Sequence, residues 1–396
     1  MAIGEGASAP LIYIVAGEAS GDVLGARLID AIRARLPEAR FAGIGGARMA
    51  ERGVPSLFPM QELALMGLAE VLPKIARLSR RMKETVADIA VRRPDVVVTI
   101  DSPGFTLRLL RRIAPLRIPR AHYVAPQVWA WREKRVRHYP GLWEKLLCLL
   151  PFEPAFFAGH GLAADFVGHP VLESGADEGD AVRFRATHGL AAEATPIILM
   201  PGSRMTEITR LLPVFEETLG LLAARFPHLV PILPVAAPVA PAVRAAASHW
   251  AVKPILVSEV RDKHDAFAAA RLALTKSGTS TLELALAGVP MVVTYKVNPI
   301  TAAMVRRVVK VRYAAMVNLL AGRAVVPELI QQECRPVRLA EEVTRLLEDE
   351  AAASGQRQAF AEVMAGLRPA AGLPSEAAAE AVLALLARPC TPRQAG

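Results

Sequence analysis

The stretch LIYIVAGEASGDVLGARLIDAIRARL, residues 11–36, decides the fold. Its first six residues form an unbroken apolar run, the pattern of a strand buried on both faces. Small residues then make a turn, and Val23 to Leu36 repeats apolar side chains at helical spacing. Strand, tight turn and helix in that order open a parallel α/β layer. The turn has the look of a nucleotide phosphate loop, yet it carries Glu18 and Asp22. Two carboxylates repel a pyrophosphate, so the loop must hold something else.

The same alternation continues. RFAGIGG (40–46), DVVVTI (95–100), PRAHYVAP (119–126), KLLCLLP (145–151) and ADFVGHP (164–170) are of strand length. ESGADEGD (173–180) is rich in Gly, Asp and Glu and reads as a linker. Strands then resume in PIILMPGSR, LVPILPV, KPILVSE, LALTKSG and PMVVTYK, with helices between them. From about Leu339 to Ala387 the chain is helical and Ala-rich, interrupted near Pro369 and Pro374. The expectation is two doubly wound α/β domains facing a cleft, over 1–172 and 173–350. The helices of 351–396 then either cross back onto the first domain or make a dimer contact.

The bulk numbers agree with a folded two-domain chain: 396 residues, 53% apolar and 21% charged. No apolar run reaches the roughly 18–20 residues that span a bilayer. MAIGEGASAP has neither the basic nor the apolar region of a secretion signal. Cys148, Cys334 and Cys390 are odd in number and far apart, which points to a reducing cytoplasm. The formal charge of +9 favours anionic partners. No basic stripe interleaved with aromatics is present, so nucleic acid is not expected.

LALTKSGTSTLELALAGVP (272–290) ends a strand at Lys276 and Ser277, and GTST opens a helix. Free N–H groups at such a start bind phosphate. Thr279 and Ser280 add hydroxyls, and Glu283 is placed to accept from ribose hydroxyls. Ser280-x-x-Glu283 also fits a capping box, with equal weight. LMPGSRMTEI (199–208) again sets a glycine turn between strand and helix, with Arg204 beside it. A guanidinium next to a helix N-terminus suits a diphosphate. Neither loop is GxxxxGK[ST], and no GxGxxG is present.

In the first half, VVVTIDSPGF (96–105) puts Asp101 at the end of a buried strand. It is a candidate general base, or else a cap for the next helix. Gln127, Trp129 and Trp131 follow another strand. Indoles there either pack on a sugar or acyl chain or belong to the core. His122 and His169 have no spaced partner ligands, so no metal is expected. ELALMGLAEVLPKIARLSRRMKETV (62–86) is very apolar from Leu63 to Ile75 and then strongly basic. Its pattern fits an element lying on an anionic membrane, or a buried helix with a solvated basic end. MVRRVVKVRYAAMV (304–317) is a second candidate of the same kind.

AGEASGD, GIGG, LMGLAEVLPKI, APQVWAWREKR, LPFEP, GHPV, PGSR, SGTSTLELALAGVPMVVTYK and NLLAGR, in this order, resemble the lipid-A-disaccharide synthase family over about residues 11–350. The resemblance implies a GT-B type inverting glycosyltransferase built from two Rossmann-like domains. It implies transfer of 2,3-diacylglucosamine from UDP-2,3-diacylglucosamine to the 6-hydroxyl of 2,3-diacylglucosamine 1-phosphate (lipid X). It implies neither metal nor cofactor, and a peripheral place on the cytoplasmic face of the Gram-negative inner membrane. A homodimer fits as well.

By the same resemblance, Asp101 is the base or orients the attacking hydroxyl, Arg204 neutralises the leaving diphosphate, and Glu18 shares the catalytic work. UDP is expected on Gly202, Ser203, Arg204 and Glu207 of one loop and on Ser277, Gly278, Thr279, Ser280 and Glu283 of the other. The acceptor sugar is expected on Gly17, Glu18 and Ser20, with Gln127, Trp129 and Asn318, and Asp22 is another acceptor of sugar hydroxyls. Leu65, Met66, Leu68, Val71, Leu72, Lys74 and Arg77 are expected at the membrane and acyl chains. Many relatives carry Asp-x-Pro-Asp where this chain has Gly104, which favours Asp101 as the base. The rival expectations are a hydrolysing UDP-sugar 2-epimerase and a non-catalytic nucleotide-sugar-binding or membrane adaptor protein.

Overall fold

The computed structural model describes residues 9–63, 71–298, 302 and 311–387, with 71–75 described by backbone alone. The chain divides into two compact units, residues 1–170 with 367–396, and residues 171–366.

The first unit runs β1 (Leu11–Ala16), α1 (Ala19–Arg35), β2 (Arg40–Ile44), α2 (Ala47–Ala50), α3 (Val71–Arg92), β3 (Val96–Ile100), α4 (Pro103–Ile113), β4 (Arg120–Tyr123), α5 (Val128–Trp131), β5 (Lys145–Cys148), α6 (Glu153–Ala158) and β6 (Asp165–Phe166). The six strands are parallel, in the order β2-β1-β3-β4-β5-β6. β1 and β3 are apolar almost throughout because helices cover both faces of the sheet, and Ile12, Ile14, Val96 and Val98 are wholly buried. The strand order reverses between β1 and β3.

The second unit runs α7 (Ala181–Thr187), β7 (Thr195–Met200), α8 (Met205–Ala223), β8 (Leu229–Pro234), α9 (Ala240–Ala247), β9 (Ile255–Val257), α10 (Val260–Ala269), β10 (Leu272–Lys276), α11 (Ser280–Leu286), β11 (Met291–Tyr295), α12 (Met316–Ala321), β12 (Glu328–Ile330), α13 (Pro336–Glu348) and α14 (Glu350–Gly366). Its strands are parallel in the order β12-β11-β10-β7-β8-β9, so the reversal falls between β7 and β10. Gln356 of α14 brackets the start of β11, accepting from the Met291 N–H at 2.7 Å and donating to its carbonyl at 3.2 Å.

Three sequence expectations change here. ESGADEGD is not a free linker. Asp180 caps α7 by accepting from the Arg183 N–H at 2.9 Å, and its own N–H donates to Asp265 at 2.8 Å. A Cβ on Gly179 would lie 1.9 Å from the His264 carbonyl, so this stretch is packed tight into the second unit. Residues 351–366, grouped above with the tail, belong to α14 and the second unit. The chain then returns. α15 (Pro374–Leu386) packs on α1, burying Ala378, Ala379, Val382 and Leu385 in the first unit's core. This is the crossing-back alternative of the two offered for the tail.

The outgoing and returning segments run side by side. The His169 N–H donates to the Leu367 carbonyl at 3.0 Å. Gly168 has φ +82°, and a Cβ there would sit 2.6 Å from the Pro369 ring, so only glycine fits. Leu385 is almost fully buried in the first unit. Leu385→Ala should cost roughly 2–5 kcal/mol, the usual range for a buried Leu→Ala cavity. Hydrogen exchange should quicken in β1 and β3 and stay unchanged in β7 and β10.

Candidate active site

Ligands of open parallel sheets bind outside the strand carboxyl ends where the order reverses. In the first unit those ends are Gly17–Glu18 after β1 and Asp101–Ser102 after β3. Both Asp101 (φ +48°) and Ser102 (φ +46°) are left-handed. For residues other than glycine this costs on the order of 1–3 kcal/mol each. The pair is held by the Asp101 N–H donating to the Tyr123 carbonyl at 2.9 Å and by the Thr106 hydroxyl donating to the Asp101 carbonyl at 2.6 Å. The N-cap of α4 is Ser102, so the alternative of Asp101 as that cap is not taken. Burial raises the Asp101 carboxyl above the usual range, with the Ser102 backbone amide pulling the other way.

A Cβ on Gly17 would lie 2.4 Å from the Ser102 hydroxyl, so glycine lets the β1 and β3 loops touch. Glu18 sits at the N-cap of α1 without capping it, and it is exposed, as is Ser20. Glu18, Ser102, Pro103 and Gly104 line a cavity of about 410 Å³. Its other walls are Leu63, Leu78, Met82 and Phe105, with Arg108 and Arg112.

Asp22 plays a different part from the one expected. Its carboxylate is buried and accepts from the N–H groups of Gly46 (2.7 Å), Arg48 (2.9 Å) and Met49 (3.1 Å). It fixes the N-terminus of α2, and its burial under these three bonds gives it a structural place.

Gln127 is exposed. Trp129 is half-buried, its indole N–H donating to Glu153 at 3.0 Å and its ring edge-on to Phe152. Trp131 is exposed, with the Arg132 guanidinium 3.9 Å from its ring centre. His122 is wholly buried, 2.8 Å from the Thr99 hydroxyl and stacked on Trp143, and burial pushes it down to about 3. His169 is likewise pushed down to about 4 by burial.

In the second unit the two expected loops meet. The turn after β7 and the turn after β10 flank the reversal point and line a cavity of about 300 Å³. Gly202, Ser203, Thr279 and Ser280 line it, with Lys263, Lys276 and an apolar wall at Pro234, Val235, Ala236 and Val257. Arg204 stands 70% exposed, 3.5 Å from Glu207.

Glu207 is built into the turn. It is buried and accepts from the Ser203 N–H (3.0 Å) and the Arg204 N–H (3.2 Å), and it pairs with the Lys276 ammonium at 3.2 Å. Gly202 has φ +122°, and a Cβ there would strike this carboxylate at 2.1 Å. Glu207 therefore shapes the loop. Ser277 donates its hydroxyl to the Ala314 carbonyl at 2.6 Å, and Gly278 accepts from the Thr281 hydroxyl. Glu283 pairs with Lys263 at 3.1 Å, so the expected capping box with Ser280 does not form. α11 is capped by Thr279 without a side-chain bond.

Asn318 is a second correction. It is buried in the second unit with all four hydrogen-bonding positions filled. Its amide donates to the Val326 carbonyl (2.9 Å) and to Glu328 (2.7 Å), and its oxygen accepts from the Val325 (2.7 Å) and Val326 (2.9 Å) N–H groups. It clasps the chain around α12 and offers nothing to a sugar.

Of the residues expected at the membrane, Leu65, Met66 and Leu68 lie outside the described residues, as do the side chains of Val71, Leu72 and Lys74 and residues 304–310 of the second candidate segment. Arg77 and Arg80 are exposed on α3. Arg81 instead pairs with Glu62 and Glu84, both at 2.7 Å, and lies over Phe58. Among the described residues no helix is long and apolar enough to cross a membrane. No group of three or more metal-ligating side chains occurs among them.

The sequence reading passed over Lys263, Lys276 and Glu153. Lys276 was legible as the last strand residue before GTST. Lys263 lies on another helix and had no local signal.

This is the GT-B class of fold, shared with glycosyltransferases and UDP-sugar epimerases. A co-structure of S. aureus MnaA with UDP matches with TM-score 0.64 at 14% identity, covering 93% of this chain and 94% of that one. The glycotransferase of kitacinnamycin matches with TM-score 0.62 at 18% identity, covering 95% and 99%. The family model of lipid-A-disaccharide synthetase matches residues 12–382. The lipid-A-disaccharide synthase of Granulibacter bethesdensis is 60% identical over 390 residues, 96% of this chain and 99% of that protein. That of Gluconobacter oxydans is 57% identical over 379 residues, covering 96% and 91%. The chain belongs to the lipid-A-disaccharide synthase family and is a glycosyltransferase.

Burial pushes the Glu153 carboxyl up to about 7. An unfolded chain ionises it near 4.5, so the folded state holds the extra proton between those values and loses stability as pH rises through them. The contribution is full below pH 4.5 and gone above about 7. Glu153→Gln should flatten this loss, read as the difference in urea midpoints between variant and wild type across that window.

Proposed function

We propose that the chain transfers 2,3-diacylglucosamine from UDP-2,3-diacylglucosamine to the 6-hydroxyl of 2,3-diacylglucosamine 1-phosphate, releasing UDP. The observation that carries this reading is the cavity at the β7/β10 reversal, where two glycine-containing turns bring backbone N–H groups, the Thr279 and Ser280 hydroxyls and the ion-paired Lys263 and Lys276 together, a lining that suits a nucleoside diphosphate. The apolar wall takes the base, and the turns after β7 and β10 take the diphosphate beside Lys276, Lys263 and Arg204.

The acceptor occupies the first unit's cavity, with its sugar hydroxyls on Glu18 and its acyl chains on Leu63, Leu78 and Met82. The 6-oxygen attacks the anomeric carbon on the face opposite UDP. The carbon–oxygen bond to the β-phosphate breaks, and its electron pair leaves with UDP. Asp101 takes the hydroxyl proton. Inversion gives the β-1',6 linkage. The apolar residues from Leu65 to Leu72 and the exposed arginines of α3 seat the enzyme on the cytoplasmic face of the inner membrane, where both lipids reside.

Asp101→Ala and Arg204→Ala should each lower turnover at least ~100-fold, the usual scale for general-base and electrostatic contributions. Near-normal turnover in either variant removes that residue's role. The acid limb of kcat/KM should lie above the usual carboxylate range, because Asp101 must be ionised and its burial resists ionisation. EDTA should leave turnover unchanged. Changing Leu68 and Leu72 together to Ser should release the protein from anionic vesicles with its far-UV circular dichroism intact. Unchanged partition would put this segment in the core.

A further inference from the structure

Two arginines in the first unit's cavity have no ion-pair partner among the described residues. Arg108 and Arg112 lie one turn apart on α4, both exposed and both lining the cavity that contains Glu18. Among the described residues neither makes an ion pair or a side-chain hydrogen bond. Their neighbours do: Arg111 donates to the His138 carbonyl at 3.1 Å, and Arg120 pairs with Glu144 at 2.9 Å. Like charges four residues apart on a helix repel. Two guanidiniums that no carboxylate pairs with among the described residues, lining one cavity, therefore mark a place for an anion. The walls formed by Leu63, Leu78, Met82 and Phe105 are apolar. The occupant that satisfies both is an anionic amphiphile.

Resting on the acceptor assignment above, we propose that Arg108 and Arg112 bind the anomeric phosphomonoester of the acceptor glycolipid. Paired guanidiniums match a dianionic phosphate in charge and in bidentate geometry. The chemistry of the reaction calls for such a subsite. Donor and acceptor carry the same diacylated sugar and differ only at the anomeric carbon, where one bears a nucleotide and the other a phosphate. A cavity that reads acyl chains and hydroxyls alone cannot tell them apart, whereas one that reads the phosphate can. Anchoring the phosphate also fixes the ring and limits where the 6-hydroxyl points.

The test compares 2,3-diacylglucosamine 1-phosphate with its dephosphorylated form in detergent micelles, by calorimetric titration of the full chain. Wild type should bind the phosphorylated lipid at least about tenfold more tightly, one charge-assisted contact's worth. Arg108→Ala with Arg112→Ala should erase that preference, and the corresponding double Lys variant should keep part of it. In turnover the double Ala variant should raise the acceptor KM about tenfold without a matching rise in the donor KM. Its partition onto anionic vesicles should be unchanged. A preference retained in the double Ala variant overturns the proposal. So does lost vesicle binding with the preference intact, which would assign the pair to bilayer headgroups. Titration needs no turnover. A wild type that discriminates but forms no disaccharide supports this subsite and sinks the transferase reading. A wild type that turns over without discriminating does the reverse.

Discussion

A parallel sheet whose strand order turns outward from one central pair leaves a crevice there, because the flanking connections depart to opposite faces. Each unit of this protein has one such pair, β1 with β3 and β7 with β10. The glycine turns that line both cavities hang from those four strands. The constraint is sharpest at Gly17, where a single added methyl would collide with Ser102. That contact holds the Glu18 and Asp101 loops together, and the two consecutive left-handed residues after β3 turn the chain within it. The first unit's site follows from this geometry, and α15 completes the core beneath it.

Much of the polar content of the family's motifs goes into building the loops. Asp22 caps α2, Glu207 braces the PGSR turn, Asn318 clasps the chain around α12, and Glu153 holds Trp129. Buried carboxylates and amides with filled hydrogen bonds specify a loop shape firmly, because losing one partner leaves an unsatisfied polar group behind. The polar residues that line the two cavities are others: Glu18, Ser79 and Ser102 with two arginines in one, and Ser203, Ser258, Glu259, Thr279 and Ser280 with two lysines in the other. This division explains how the opening loop can carry two carboxylates. One belongs to the fold, and one lines the cavity.

The strands, their alternation with helices and the two loop positions were legible because each rests on local pattern: apolar runs of strand length, and glycine turns leading into amphipathic helices. The roles of Asp22, Glu207 and Asn318 were not legible. Their partners lie across the loop or on another element, and the residue type alone fits a cap, a brace or a ligand equally well. Lys263 reaches the second cavity from α10, twenty residues before its partner Glu283, and only the folded chain joins them. The return of α15 to the first unit was open for a related reason: an Ala-rich helix packs as well against its own chain as against a second copy.

The most direct measurement is product analysis after incubating the enzyme with UDP-2,3-diacylglucosamine and 2,3-diacylglucosamine 1-phosphate in micelles. NMR would fix the configuration of any new glycosidic bond. The account predicts a β-1',6-linked disaccharide 1-phosphate and UDP in equal amounts. UDP accompanied by free or C2-epimerised sugar, with the acceptor unconsumed, would contradict it.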